Sequence, residues 1–340
     1  MKKFFAVFIC TVLCVTVLAA CSSAPISAVT RSGFLKKNDV KTVSYVSEHC
    51  EYGVSYIEAE KPVVSAKYSL AAANSYLKTD LTVVESDGSF GEAGKDYYLF
   101  ATETHIEGSY EIDGEKTDCV NDISSKVYFL GVGDDLRPVY SEKTVNAQSL
   151  ESLNGKLSVK KYVYSISTKY DGKKAIVTFT PDKENSTGTF SLDGGYEMDK
   201  VSDGNYFDNE QLLFAPRAMD LKSGFSTTFK SLDAVSKSLN TMSFAYATGD
   251  NAVTQYSFDK GAYVVTDNEF NTSSVVEKCK VNTINLSIAS TYSGATQRLS
   301  FAASDEVGQY CRLIHMVVPA TYGTGEFVFH IRNAAFSFAK

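Results

Sequence analysis

"LSVKKYVYSISTKYDGKKAIVTFT", residues 157 to 180, decides the fold. Tyr162, Tyr164 and Ile166 alternate with Lys161, Ser165 and Ser167, and side chains on a strand point to opposite faces in turn, so this is a half-buried strand. Asp171-Gly172 follows, and Ala175, Val177 and Phe179 then take alternate positions of a second run. Two such runs around a DG dipeptide predict a β-hairpin. The dipeptide recurs at Asp87-Gly88, Asp113-Gly114, Asp193-Gly194 and Asp203-Gly204, with Asn154-Gly155 as a near equivalent. Short antiparallel connections are therefore expected throughout. The last third carries the same signal. Ile284, Leu286 and Ile288 share a face, as do Phe327, Phe329 and Ile331, and "RLIHMVVPA" is apolar on both faces, as a central strand ending at Pro319 would be. The expected fold class is mainly β: a curved antiparallel meander, open or barrel-like, with a few short helices.

Three segments compete for those helices. "AKYSLAAANSYLK" spans 66 to 78, and "SLDAVSKSL" spaces Leu232, Val235 and Leu239 helically while equally suiting a loop. "YFDNEQLLFAPRAMDLKSG", 206 to 224, is the most distinctive. Asp208 and Gln211 form a variant capping box, Leu212 and Leu213 supply an apolar side, Pro216 stops the helix, and Arg217 follows to hold carbonyls or a carboxylate. This reading packs a helix at about 208–216 on the sheet as a structural plug.

The N-terminus gives an address. Lys2 and Lys3 precede an uncharged run from Phe4 to Ala20, the order of an export signal. Leu18-Ala19-Ala20-Cys21 looks like a bacterial lipobox, in which the cysteine thiol receives a diacylglyceryl group after cleavage before it. The expected organisation is a signal peptide at 1–20, a lipidated tether rich in Ser, Ala and Thr at 21–38, and a β-rich body at 39–340, as one domain or two subdomains. Two acyl chains anchor stably where one is marginal. The membrane is thus an expected partner through Cys21.

Without Lys2 and Lys3 the chain has 31 basic and 40 acidic residues, and no basic cluster, so nucleic acid is not expected as a partner. Beyond the anchor stand Cys50, Cys119, Cys279 and Cys311, whose spacing matches no zinc framework. An exported location permits disulfides among them, and buried thiols are the alternative. There are 21 Tyr, 21 Phe and no Trp. The first two suit strands, and the absence of Trp tells against a Trp-lined sugar site while leaving tyrosine platforms open.

The order Asp-x-x-x-Leu-Leu-Phe-x-x-Arg, from Asp208 to Arg217, followed by Gly224, resembles a family of exported bacterial proteins known only as a domain of unknown function. The resemblance extends to "LRPVYSEK" at 136–143, to "TQRLSFA" and to "RLIHMVVPATYGTGEFVFHI", covering about 95–335. Pro216 and the four cysteines depart from that family's pattern. The resemblance implies export and an antiparallel β-rich body, and carries over no activity and no functional residue.

No GxSxG, HExxH, P-loop or EF-hand signature occurs, and "GVGDD" at 131–135 reads as a turn. The sharpest constellation is "ETHIE": on a strand, Glu103, His105 and Glu107 share a face, about 7 Å apart. Such a row serves either as an acid/base or metal-binding set or, as the stronger reading, as a solvated strand face. His315, in an apolar strand, reads as a hydrogen-bonded core histidine. No cofactor is expected. The leading function is a membrane-anchored envelope lipoprotein that binds an envelope ligand or partner or serves as a scaffold. The alternatives are an envelope hydrolase using Glu103, His105 and Glu107, and a carrier of a lipid or apolar ligand inside the sheet.

Overall fold

Asp113-Gly114 and Asn154-Gly155 each sit at the tip of a hairpin with both residues at positive φ: 52° and 84° at the first, 53° and 81° at the second. Type I′ turns require that geometry, and their twist matches that of the strands they join. The computed structural model describes residues 45–131, 136–171, 174–199, 206–218, 226–249, 253–258, 264–265, 274–275, 279–290, 296–302 and 313–338. The strands are β1 (Tyr45–Glu58), β2 (Ala66–Leu70), β3 (Tyr76–Glu85), β4 (Asp96–Ile112), β5 (Glu115–Phe129), β6 (Pro138–Leu153), β7 (Lys156–Asp171), β8 (Lys174–Pro181), β9 (Tyr196–Asp199) and β10 (Tyr206–Asp208). They continue as β11 (Ser226–Asp233), β12 (Ser238–Tyr246), β13 (Val253–Phe258), β14 (Val264–Val265), β15 (Ser274–Val275), β16 (Cys279–Ser290), β17 (Gln297–Ala302), β18 (Leu313–Pro319) and β19 (Gly325–Phe338).

Their pairings form one large, mostly antiparallel, open sheet. From β9 it runs through β8, β7, β6, β5, β4 and β3 to β1. There β1 meets β19, and the ladder continues through β18, β17, β16, β12 and β11 to β10. β2 lies beside β4, and β13 beside the first half of β16. Among the described strands only β10 with β11 and β14 with β19 pair in parallel.

Alternation sorts the side chains as the hairpin pattern requires. Tyr162, Tyr164 and Ile166 on β7, and Ala175, Val177 and Phe179 on β8, are buried, with Ser165 and Thr178 between them exposed. The strand at 313–319 is buried on both faces except at His315 and Pro319.

No α-helix forms among the described residues, which corrects the expectation of a few short helices. The stretch 66–78 is β2, a turn over 72–74 and the start of β3. The alanines favour helix only weakly, and pairing with β4 overrides them. The stretch 231–239 is the β11–β12 hairpin, where Asp233 Oδ1 accepts from the backbone N–H groups of Val235 and Ser236 and Lys237 takes φ 54°. The segment at 208–216 makes two 3-10 turns, Asn209–Gln211 and Ala215–Ala218. The Leu212 and Phe214 N–H groups donate three residues back, to Asn209 O at 3.3 Å and Gln211 O at 2.9 Å. Pro216 has no N–H with which to extend them.

That segment nonetheless fills the inner face. Leu212, Leu213, Phe214, Ala215 and Pro216 are buried, and the Phe214 ring meets those of Phe100 at 5.7 Å and Phe129 at 5.1 Å. Asn209, Glu210 and Leu213 border one small pocket together with Leu77, Ile123, Met316 and Phe329. These residues come from strands on both sides of the β1–β19 pairing, so the sheet curls around residues 209–215.

Candidate binding face

Because the inner face is packed, residues of alternate parity form an outer, solvent-facing surface, and the strand register arranges them in rows across the sheet. One row reads His315, His330, Gly53, Tyr76, His105, Asp122, Asn146 from β18 to β6. The next reads Glu51, Lys78, Glu103, Ser124, Thr144, Ser165, Thr180 from β1 to β8. A third reads His49, Asp80, Ala101, Lys126, Glu142, Ser167, Thr178. Neighbours along a row are about 4.8 Å apart and successive rows about 7 Å apart. All four histidines of the chain lie on this face.

Glu103, His105 and Glu107 come together as their alternation requires, within a wider network. His105 Nδ1 stands 2.6 Å from Asp122 Oδ1 and its Nε2 stands 3.1 Å from Glu107 Oε1. The Tyr76 hydroxyl donates to Glu103 Oε1 at 2.6 Å, and the Tyr76 ring stacks on His105 with centroids 5.4 Å apart. Lys78 Nζ lies over the Tyr76 ring, 4.4 Å from its centroid. Asn74 Nδ2 donates to Glu107 Oε2 at 2.5 Å.

The hydrogen bond to Asp122 outweighs the opposing effect of burial and, helped by the bond to Glu107, holds the His105 pKa above its ordinary 6.5. Glu107 is correspondingly lowered, first by Asn74 and then by His105. Glu103 pushes the Tyr76 hydroxyl up to about 12. Two carboxylates at the two ring nitrogens suit a doubly protonated imidazolium, which has no lone pair with which to act as a base. Among the described residues no group of three or more His, Cys, Asp or Glu side chains is placed to hold a metal ion. His49 repeats the pattern, with Asp80 at 2.6 Å and Glu51 at 3.5 Å, and its pKa is raised chiefly by Asp80.

No family model, curated protein or solved structure matches the chain.

At the β18 end of the face the electrostatics reverse. His315 stacks on Tyr256 at 4.8 Å, its Nδ1 is 3.1 Å from the Tyr256 hydroxyl, and burial followed by His330 and Arg298 pushes its pKa down to about 4. At the β8 end, the hydroxyls of Ser124, Thr144, Ser165, Ser167, Thr178 and Thr180, with Lys126, Tyr140 and Glu142, line a groove of about 360 Å³.

The remaining expected site residues lie inside or outside the described region. Asp208 Oδ1 accepts from the Glu210 N–H, the N-cap half of the expected box, but the Gln211 side chain donates instead to Leu136 O at 2.7 Å. Asp208 Oδ2 accepts from the Ser141 and Tyr170 hydroxyls at 2.6 and 2.5 Å. Burial, reinforced by Glu210, pushes the Asp208 carboxyl up to about 6. Beside it Lys143 Nζ pairs with Glu210 Oε1 at 2.9 Å. The backbone of Arg217 lies in the second 3-10 turn, and its side chain falls outside the described residues. Cys119 is a free buried thiol, so no bridge joins it to Cys50, itself buried on β1. Cys279 begins β16 with its side chain outside the description, and Cys21 and Cys311 lie outside it altogether.

Asp122 is the member of the network that the single-strand reading missed. The signal was present: His105 lies eight residues before Asp113 and Asp122 eight after Gly114, so a two-residue turn at Asp113-Gly114 pairs them.

Proposed function

We propose that the protein is a cell-envelope lipoprotein, exported and held to the membrane by a diacylglyceryl group on Cys21, that works as a binding or scaffold module through the outer face of its sheet. The observation that carries this reading is the occupied interior. Residues 209–215 fill the curl of the sheet, so the broad surface left to meet another molecule is the outer one. Two small pockets beside this segment measure about 40 and 20 Å³, room for a few waters, which weighs against the carrier of an apolar ligand. The hydrolase alternative is weakened by His105, whose two nitrogens are both engaged by carboxylates. An acidic body without a basic cluster makes nucleic acid a poor partner. The address rests on the export signal of Lys2 to Ala20 and on Leu18-Ala19-Ala20-Cys21.

Two experiments test the reading. Mass spectrometry of the membrane-extracted protein is expected to find a diacylated Cys21 at the N-terminus, and an intact Met1 would refute the anchor. The chain from Ser22 onward, which lacks both the signal peptide and the lipid-bearing cysteine, is expected to co-sediment with purified envelopes and to be released by a bulky substitution on the outer face, Ser165→Trp. Failure to co-sediment would refute the binding module.

A further inference from the structure

We infer that the groove across β5–β8 is a site for an uncharged glycan chain, an inference that rests on the outer face being the binding surface. The groove's floor is a grid of two rows. Ser124, Thr144, Ser165 and Thr180 form one, and Lys126, Glu142, Ser167 and Thr178 the other. Five of the six hydroxyl-bearing residues are exposed and Ser167 is half-buried. None of the six hydroxyls makes a hydrogen bond to the protein, in contrast to inner-face hydroxyls such as Ser141 on Asp208 and Thr102 on Ser125. Each hydroxyl both donates and accepts, so the floor matches a ligand whose own groups do both.

Charge and shape narrow the class. Lys126 Nζ pairs with Glu142 Oε1 at 3.0 Å, and Lys143, which also lines the groove, pairs with Glu210 Oε1 at 2.9 Å, so each cation of the groove is already met by a carboxylate. An anionic glycan or a phosphorylated ligand would meet no uncompensated cation on this floor, and an apolar ligand would strip water from six unpaired hydroxyls. One flank is aromatic. Tyr140, on the groove wall, lies 5.9 Å from Tyr128, which stacks on Phe90 at 4.0 Å. Tyrosine faces accept the C–H side of a sugar ring while hydroxyls meet its edge, the combination of apolar body and placed polar groups that a selective site needs. The four-strand hydroxyl row spans about 14 Å at the usual strand spacing, which suits several linked rings and not one monosaccharide.

Saturation-transfer NMR and calorimetry on the chain from Ser22 onward, with cellohexaose, maltohexaose and the hexamer of N-acetylglucosamine, test the site. At least one neutral hexamer is expected to bind. Ser165→Trp, which fills the groove, should weaken it at least tenfold, and the gentler Ser165→Ala/Thr180→Ala pair by about 5- to 150-fold, two hydrogen bonds' worth. Thermal melts establish that both variants fold. Binding of all three hexamers that is unchanged by both variants, or tighter binding of a polyanionic glycan than of any neutral one, would overturn the inference. So would absence of binding by every hexamer. If envelopes still sediment the protein in that case, only the glycan class falls; if they do not, the binding-module reading falls with it.

Discussion

Replacing Asp208 by asparagine isolates the energetics of the segment inside the sheet. Asp208 is buried, 4% exposed, and its carboxyl is pushed from 3.8 to about 6 by burial and by Glu210. The folded state therefore holds the proton more tightly than the unfolded chain. For a carboxyl raised in this way, stability is greatest below 3.8, falls as pH rises between 3.8 and about 6, and stays at the lower level above that. A tenfold difference in proton affinity is about 1.4 kcal/mol, so ionising Asp208 costs the fold about 3 kcal/mol by pH 7.5. Asparagine never ionises, and its amide can give N–H groups to the Ser141 and Tyr170 oxygens while its carbonyl accepts from the Glu210 N–H. Urea unfolding of wild type and Asp208→Asn at pH 4.5, 5.5, 6.5 and 7.5 should show their stability difference shifting in the variant's favour by about 2 kcal/mol across the series. The comparison removes the contributions of other titrating groups, which are common to both proteins. A difference that shifts the other way would mean that the three donors stabilise the carboxylate more than burial penalises it, and the reasoning would be wrong.

Phe214→Ala should cost about 3 to 5 kcal/mol in the same assay, with the far-UV strand signal retained at low temperature; wild-type melting would mean that the segment does not plug the sheet. In NMR titrations His105 should ionise with a midpoint above 6.5 and His315 near 4, and coincident midpoints would contradict the two environments described. The raised His105 pKa gives a contribution present below 6.5 and lost as pH rises through the folded value, small because the ring lies near the surface. Burial pushes the Cys119 thiol up to about 11, so it should resist alkylation at pH 8 until urea unfolds the chain; fast labelling of the native protein at Cys119 would refute its burial.

The alternation of Tyr162, Tyr164 and Ile166 was enough to read a strand and its buried face, because a side-chain period of two is a local property. The run Ala71–Ala73 misled for the converse reason: nothing in it reveals that β4 supplies the hydrogen bonds of its neighbours. Asp208 was legible as a cap, whereas Gln211 was not, since its partner Leu136 is far away in sequence and reaches it only through the curl of the sheet. The outer-face rows lie between these cases. Thr144 and Ser165 are each ten residues from Asn154-Gly155, so their pairing follows from the turn alone. His49 against Asp80 and His330 against Gly53 join strands with no tight turn between them, and no local pattern fixes that register.

The seam between β1 and β19 also bears on how the molecule is made. Synthesis delivers β1 first, and β3 can pair with one of its edges early, but the other edge waits for a partner that emerges some 270 residues later. Until then an incomplete sheet exposes a row of unpaired backbone groups, a template for joining another chain. Contacts this distant in sequence also make folding slow. The protein's vulnerable period is therefore its assembly, and a holdase that shields the β1 edge should raise its yield more than any change that strengthens the finished core.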